Sequence, residues 1–123
     1  MRHPESDVLD GMDADLRALV ASSAERHGCG ADVAVDDGLS PVVFDERCVA
    51  AVAAASEATG RAHERIVSGA GHDACYVASR GPAAMVFVPC RDGLSHNEAE
   101  SIEPDQAEVG AEVLLHAALA LAG

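Results

Sequence analysis

The chain has 123 residues, a one-domain length, and a formal net charge of -13 at pH 7, from 21 acidic residues against 8 arginines and no lysine. That balance argues against a nucleic-acid partner, because phosphate binding needs a basic face, and equally against an anionic membrane surface. Although 49% of the residues are apolar, much of that is alanine, and aromatic residues make up 2%; with large rings scarce, the elements either form an alanine-rich domain with an aliphatic core or pack against something beyond themselves.

A helix is expected over 5–27. Pro4 suits its first turn, where no amide donor is needed, and acidic residues crowd its start, as the helix dipole favours. Val8, Met12, Leu16, Leu19 and Val20 recur at helical spacing, and Gly28 and Gly30 stop the helix. Residues 31–36 alternate, with Val33 and Val35 on one face, the pattern of a half-buried strand ended by Asp37-Gly38. Leu39-Ser40-Pro41 reads as a connection, and a boundary near Gly38 divides the chain into 1–38 and 39–123. A second helix covers 46–59, with Asp45 as N-cap and Gly60 as stop. A short strand at 64–67 leads into Ser68-Gly69-Ala70-Gly71-His72-Asp73, and a short helix over 73–79 ends near Gly81-Pro82. The apolar run 83–88 has the length of a buried strand, and the polar loop 89–98 follows its C-terminal end. The last helix covers 104–121, with Val109, Val113, Leu114, Ala117 and Leu121 as its stripe. Strands alternating with helices make an α/β fold with a largely parallel sheet. Its ligand end is the carboxyl edge of the strands, where both polar loops lie.

The cysteines Cys29, Cys48, Cys75 and Cys90 form no CxxC, so neither a zinc ribbon nor a redox pair is indicated. No secretory leader is legible at residues 1–5. The most apolar run, 113–122, is about half the length of a membrane span and contains His116. Reduced thiols and a soluble, cytoplasmic protein are the expectation.

Two loops could carry chemistry. In 68–73, Gly69 and Gly71 let a ligand approach the backbone closely, and His72 at a strand-to-helix turn could donate to a developing oxyanion or a substrate carbonyl. A glycine-rich turn with a solvent-facing histidine accounts for the same residues. The stretch lacks the Lys-Ser/Thr of a phosphate-binding loop and the full GxGxxG pattern. Ser68, His72 and Asp73 are too crowded for a nucleophile, base and orienter. In Leu94-Ser95-His96-Asn97, the His96 imidazole is a good ligand for zinc and similar metals, with Asn97 or Glu98 as a supporting group. No HxH or HxxxH supplies a second ligand, and an ordinary loop histidine reads the same. Arg2 could hold a carboxylate bidentately or belong to a frayed terminus. His27, His63 and His116 have no partner at motif spacing.

Taken in order, three stretches resemble one family. Ser68-Gly69-Ala70-Gly71-His72-Asp73-Ala74 is similar to the SGAGHDA segment of the hydantoinase/carbamoylase amidases. Ala84-Met85-Val86-Phe87-Val88-Pro89, followed by Gly93-Leu94-Ser95-His96-Asn97, resembles their AMIFVPS…GLSHN segment. Gly110-Ala111-Glu112-Val113-Leu114-Leu115-His116 resembles their closing helix, and Arg2-His3-Pro4 their D-x-R-H-P passage. The resemblance implies cleavage of linear amide or ureido C–N bonds in small molecules, of the N-carbamoyl amino acid or allantoate kind. It implies two divalent metals, zinc or else manganese or cobalt. It also implies a zinc-exopeptidase-like α/β/α catalytic domain and a ferredoxin-like domain that pairs two subunits.

On that footing 1–38 is the end of the dimerisation domain and 39–123 the C-terminal part of the catalytic domain. His96 is then a metal ligand, His72 a contact to substrate or tetrahedral intermediate, Gly71 part of the substrate site, and Arg2 the grip on the substrate carboxylate. The family's other ligands and its catalytic glutamate lie upstream of such a part, and Cys75 and Cys90 stand where other residues are frequent. The chain alone is therefore expected to be inactive and marginally stable. A non-catalytic derivative of the fold, or one half of a split enzyme, is the alternative, and an unrelated small α/β domain is a third.

Overall fold

In a computed structural model describing residues 1–35, 38 and 40–123, the regular elements are helices: α1 (Ser6–His27), α2 (Glu46–Ala58), α3 (Asp73–Ala78) and α4 (Pro104–Ala122), with a single 3-10 turn at Arg91–Gly93. The chain forms two units, Met1–Val43 with Val67–Ala70, and Phe44–Ile66 with Gly71–Gly123.

In the first unit, α1 begins after Glu5, which holds the N-cap position, so Pro4 stands outside the first turn rather than in it. The helix ends at Gly28, whose φ of 64° closes the last turn. The Cys29 N–H reaches the Ala24 carbonyl at 3.0 Å and the Gly28 N–H that of Glu25 at 3.2 Å, satisfying carbonyls left over at the helix end. Arg17 ties this unit together. Its Nε donates to Asp13 at 2.7 Å, one turn back, and its Nη1 to the Val33 carbonyl at 3.0 Å. The apolar stripe is helical as its spacing requires, but no residue of α1 is buried, and Leu19 is 62% exposed.

The second unit is built on α2 and α4, which pack together. Asp45 caps α2, its Oδ1 accepting the backbone N–H groups of Arg47 at 3.0 Å and Cys48 at 3.1 Å. Those hydrogen bonds, that of Cys48 first, hold the Asp45 carboxyl below its ordinary range. The helix closes at Thr59 and Gly60, the latter at φ 69°. Ala55, Val113 and Ala117 form the buried cluster, with Ala51, Val52 and Val86 packed around it. Small residues on both helices allow close approach of the axes. Leu114 and Leu121, expected on the same stripe, are 58% and 50% exposed. On α4 the buried residues are the i, i+4 pair Val113 and Ala117.

The three expected strands form no ladder. Residues 31–35, 64–67 and 83–88 carry no regular secondary structure, and no sheet exists among the described residues. Asp36 and Asp37, at the expected end of the first strand, and Leu39, in the expected connection, lie outside the described residues. The reason is physical: alternation records which side of a segment is apolar, whereas a strand exists only where a neighbour takes its N–H and C=O groups. Residue 83 still serves the fold, its carbonyl accepting the Asp45 N–H at 3.2 Å.

Val88 crosses α4 at Gly110, where an added Cβ would stand 2.6 Å from Val88 Cγ1. Alanine normally gains about 1 kcal/mol over glycine inside a helix, but overpacking against a stiff valine costs roughly 1–3 kcal/mol. Gly110→Ala is therefore expected to destabilise the chain by about 1 kcal/mol in urea unfolding. Adding Val88→Ala should recover most of the steric part, so a double-mutant cycle reads coupling rather than additivity.

The Asp45 cap makes helix content depend on pH. Because its folded pKa is lowered, its contribution is full above the ordinary aspartate value of about 3.9 and is lost as pH falls through the lower folded value. Far-UV circular dichroism of wild type and Asp45→Ala should differ most near neutral pH, with wild type more helical. The gap should narrow below about pH 4.

Candidate functional site

Arg2, Gly71, His72 and His96 all lie outside the helices. Arg2 is exposed and runs alongside Gly69: a Cβ on that glycine would sit 3.7 Å from Arg2 Cδ and 3.9 Å from Nη1. Both are ordinary van der Waals distances, and the Ser68 Oγ accepts the Ala70 N–H at 3.2 Å just beside the glycine. These residues belong to the first unit.

Gly71, His72 and His96 belong to the second unit. Gly71 is exposed. His72 is half-buried and holds the N-cap position of α3 with an extended backbone, φ -138° and ψ 151°. Asp73 is the first helical residue. The His72 carbonyl accepts the Cys75 N–H at 2.9 Å, which starts the helix. Its ring packs against Phe87, with centroids 5.4 Å apart and planes at 65°. That edge-on arrangement suits two aromatic quadrupoles.

His96 sits on a loop bent by three left-handed residues, Asp92 (φ 57°), Gly93 (φ 68°) and His96 itself (φ 55°). For a residue with a Cβ this conformation costs roughly 1 kcal/mol, and neighbouring contacts must hold it. Arg91 closes the loop base, its N–H donating to the Ser101 carbonyl at 2.8 Å and its Nε to Glu103 at 2.6 Å. The His96 N–H donates to Glu100 Oε2 at 2.8 Å, and the Cys90 thiol to Glu100 Oε1 at 3.6 Å. Burial, together with the adjacent Glu100 charge, pushes the Cys90 thiol up, so it remains a protonated donor at neutral pH. Asn97 is exposed, and its Oδ1 accepts the Ala99 N–H at 2.9 Å.

Sequence reasoning offered Asn97 or Glu98 as the support of His96 and passed over Glu100 and Phe87. For Glu100 the signal was an acid four residues after a loop histidine, too common to stand out. For Phe87 it was one ring in a nearly ring-free chain.

With this geometry in hand, comparison with known proteins is decisive. The sequence profile of Peptidase family M20/M25/M40 matches residues 6–120. The chain belongs to that family. An N-carbamoyl-L-amino-acid amidohydrolase from Rhizobium meliloti is 44% identical over 97% of this chain and 29% of its own length. An allantoate amidohydrolase from Bacillus subtilis (strain 168) is 37% identical over 93% of this chain and 28% of its own. Among solved structures, an amidase of the hydantoinase/carbamoylase family from Burkholderia multivorans superposes with a TM-score of 0.93 at 52% identity, over 97% of this chain and 29% of that one. The resemblance read from three short stretches thus holds along nearly the whole chain, which spans under a third of these relatives. This M20 chain matches one part of the hydantoinase/carbamoylase amidase fold.

The M20 family generally depends on metal ions. Among the described residues, no three His, Cys, Asp or Glu side chains come together in a group that could hold one. His96 offers an exposed imidazole whose backbone N–H is already engaged. Its chemistry suits the donation of one ligand, and the described residues offer no group of three that would complete a site. No helix among the described residues is long and apolar enough to cross a membrane.

Phe87→Leu removes the ring that orients His72. Its contribution to the His72 imidazole proton shifts should disappear from the NMR spectrum, with a stability loss of about 1 kcal/mol in thermal unfolding. Unchanged His72 shifts would mean that other contacts set the imidazole plane.

Proposed function

We propose that this chain forms part of a metal-dependent amidohydrolase that cleaves linear amide or ureido C–N bonds in N-carbamoyl amino acids or allantoate-like compounds. The carrying observation is the match over 97% of the chain to an N-carbamoyl-L-amino-acid amidohydrolase at 44% identity, with both candidate loops inside the matched stretch. In this reading His96 supplies one ligand to a divalent metal centre, of zinc, manganese or cobalt, whose other ligands come from sequence that the chain lacks. His72, held edge-on by Phe87, donates to the substrate carbonyl oxygen as charge grows on it, an interaction worth most in the transition state. Gly71 lies beside the substrate. Arg2, threaded past Gly69, pairs with the substrate carboxylate, for which a guanidinium has matching geometry.

Residues 1–38 then close a ferredoxin-like domain that pairs two subunits, and 39–123 complete an α/β/α catalytic domain in which 83–88 becomes a strand. Alone, the chain is inactive. The exposed leucines of α4, Leu114, Leu115, Leu119 and Leu121, also favour a second reading, in which the chain is one half of a split enzyme and these faces receive the other half.

A chimera in which residues 1–123 replace the matching segment of the Rhizobium meliloti relative tests the proposal. It should release carbamate-derived ammonia from an N-carbamoyl amino acid, while the isolated chain should do so at no measurable rate and bind no stoichiometric zinc. His96→Ala in the chimera should lower kcat/KM by at least about 1,000-fold, and His72→Ala should lower kcat by roughly 100- to 1,000-fold. Arg2→Ala should mainly raise KM. A His96→Ala chimera as active as its parent would remove the ligand assignment.

A further inference from the structure

The loop that carries His96 is closed twice. Its outer closure is the Arg91 pair of contacts to Ser101 and Glu103. Its inner closure is a single carboxylate, Glu100, whose two oxygens take two different donors: Oε2 the His96 N–H at 2.8 Å and Oε1 the Cys90 thiol at 3.6 Å. Glu100 is itself held on the loop by its own N–H, which donates to the Asn97 carbonyl at 2.9 Å.

The amide that Glu100 engages adjoins a left-handed torsion. His96 has φ 55°, which an L-residue adopts only where its surroundings over-determine it. A charge-assisted bond of 2.8 Å selects one orientation of the 95–96 peptide plane. Once that plane and φ are set, the direction of the His96 Cα–Cβ bond is set too. The Cys90 thiol gives the other oxygen a second, weaker contact at the end of the apolar run. Asn97, the neighbour that could compete, is already turned to the Ala99 N–H.

We propose that Glu100 is the positioning residue of His96: its carboxylate clamps the loop between the His96 amide and the Cys90 thiol and thereby aims the imidazole. The use of that aim rests on the reading of His96 as a metal ligand; the clamp itself does not. A carboxylate suits the task because both of its oxygens accept, whereas a glutamine at the same place would accept from His96 and turn an amide N–H toward a thiol that also donates.

Isotope-labelled chains of wild type, Glu100→Ala and Glu100→Gln give the direct test by NMR. Glu100→Ala should speed hydrogen exchange of the His96 amide at least ten-fold and shift its 13Cα resonance away from left-handed values. Glu100→Gln should keep most of the protection of that amide while changing the Cys90 signals. Amides of α2 and α4, such as Ala55 and Val113, should not change. A His96 amide and 13Cα unaltered by Glu100→Ala would overturn the proposal, as would a loss of protection spread equally over α2 and α4. In the chimera described above, Glu100→Ala should weaken zinc binding by roughly 10- to 100-fold, with Glu100→Gln closer to wild type. Zinc affinity unchanged by Glu100→Ala, in a chimera that His96→Ala does inactivate, would overturn the aiming role. If His96→Ala instead leaves the chimera active while the amide result stands, the ligand reading falls and the clamp survives.

Discussion

The seam where Ala55 meets Val113 and Ala117 carries the second unit. Because those side chains are small, α2 and α4 approach closely, and Val86 and Val88 from the intervening run lie against the pair. Gly110 extends the same logic by one turn, since even a methyl group there would strike Val88. The run 83–88 is thus located by helix packing and not by a sheet. Its position decides where Phe87 stands against His72 and where Cys90 begins the loop to His96. Few residues are buried in this seam, so each carries a large share of the order on which both candidate loops depend.

The helices were legible in the sequence because their signals are local. Asp45 followed by a periodic alanine-rich stretch and Gly60 is a complete helix statement, and the cap, turns and stop all lie within it. Gly28 likewise ends α1 through its own positive φ. The strands were legible only as patterns. Val33, Val35 and the 83–88 run record faces suited to burial, but pairing is a property of two segments and cannot be read from one. The same division holds for the sites. Arg2, His72 and His96 could be proposed because residue type and motif order pointed to them. Their surroundings, Gly69 beside Arg2, Phe87 against His72 and Glu100 at the His96 amide, come from the folded chain: two of these neighbours are distant in sequence, and the third is an acid too common to stand out.

Charge plays two separate parts in this acidic chain. Most carboxylates lie on exposed surface, where they favour solubility and say little about the fold. A few are committed: Asp45 to the amides of α2, Asp13 to Arg17, Glu103 to Arg91, Glu112 to Arg61, and Glu100 to His96 and Cys90. The ion pairs among these are substantially exposed and each adds under about 1 kcal/mol. The Asp45 and Glu100 contacts act differently, because their acceptors engage backbone N–H groups and so select conformation. Specification of geometry, more than stability, is what such carboxylates contribute.

An exposed imidazole with a fixed backbone and an α-helix with an uncovered leucine face raise the same physical problem from two sides. Orienting His96 costs conformational freedom and a left-handed residue, and that cost gains nothing unless something meets the ring. Leaving Leu115 and Leu119 about 60% exposed likewise forgoes burial that would stabilise the unit. On the proposed reading one event answers both. The polypeptide that covers the leucines and pairs with the run 83–88 is the one that brings the remaining ligands to His96. Packing and catalysis would then be completed by the same association, and the loop clamp at Glu100 would act beforehand, holding the imidazole in the direction from which the other ligands arrive.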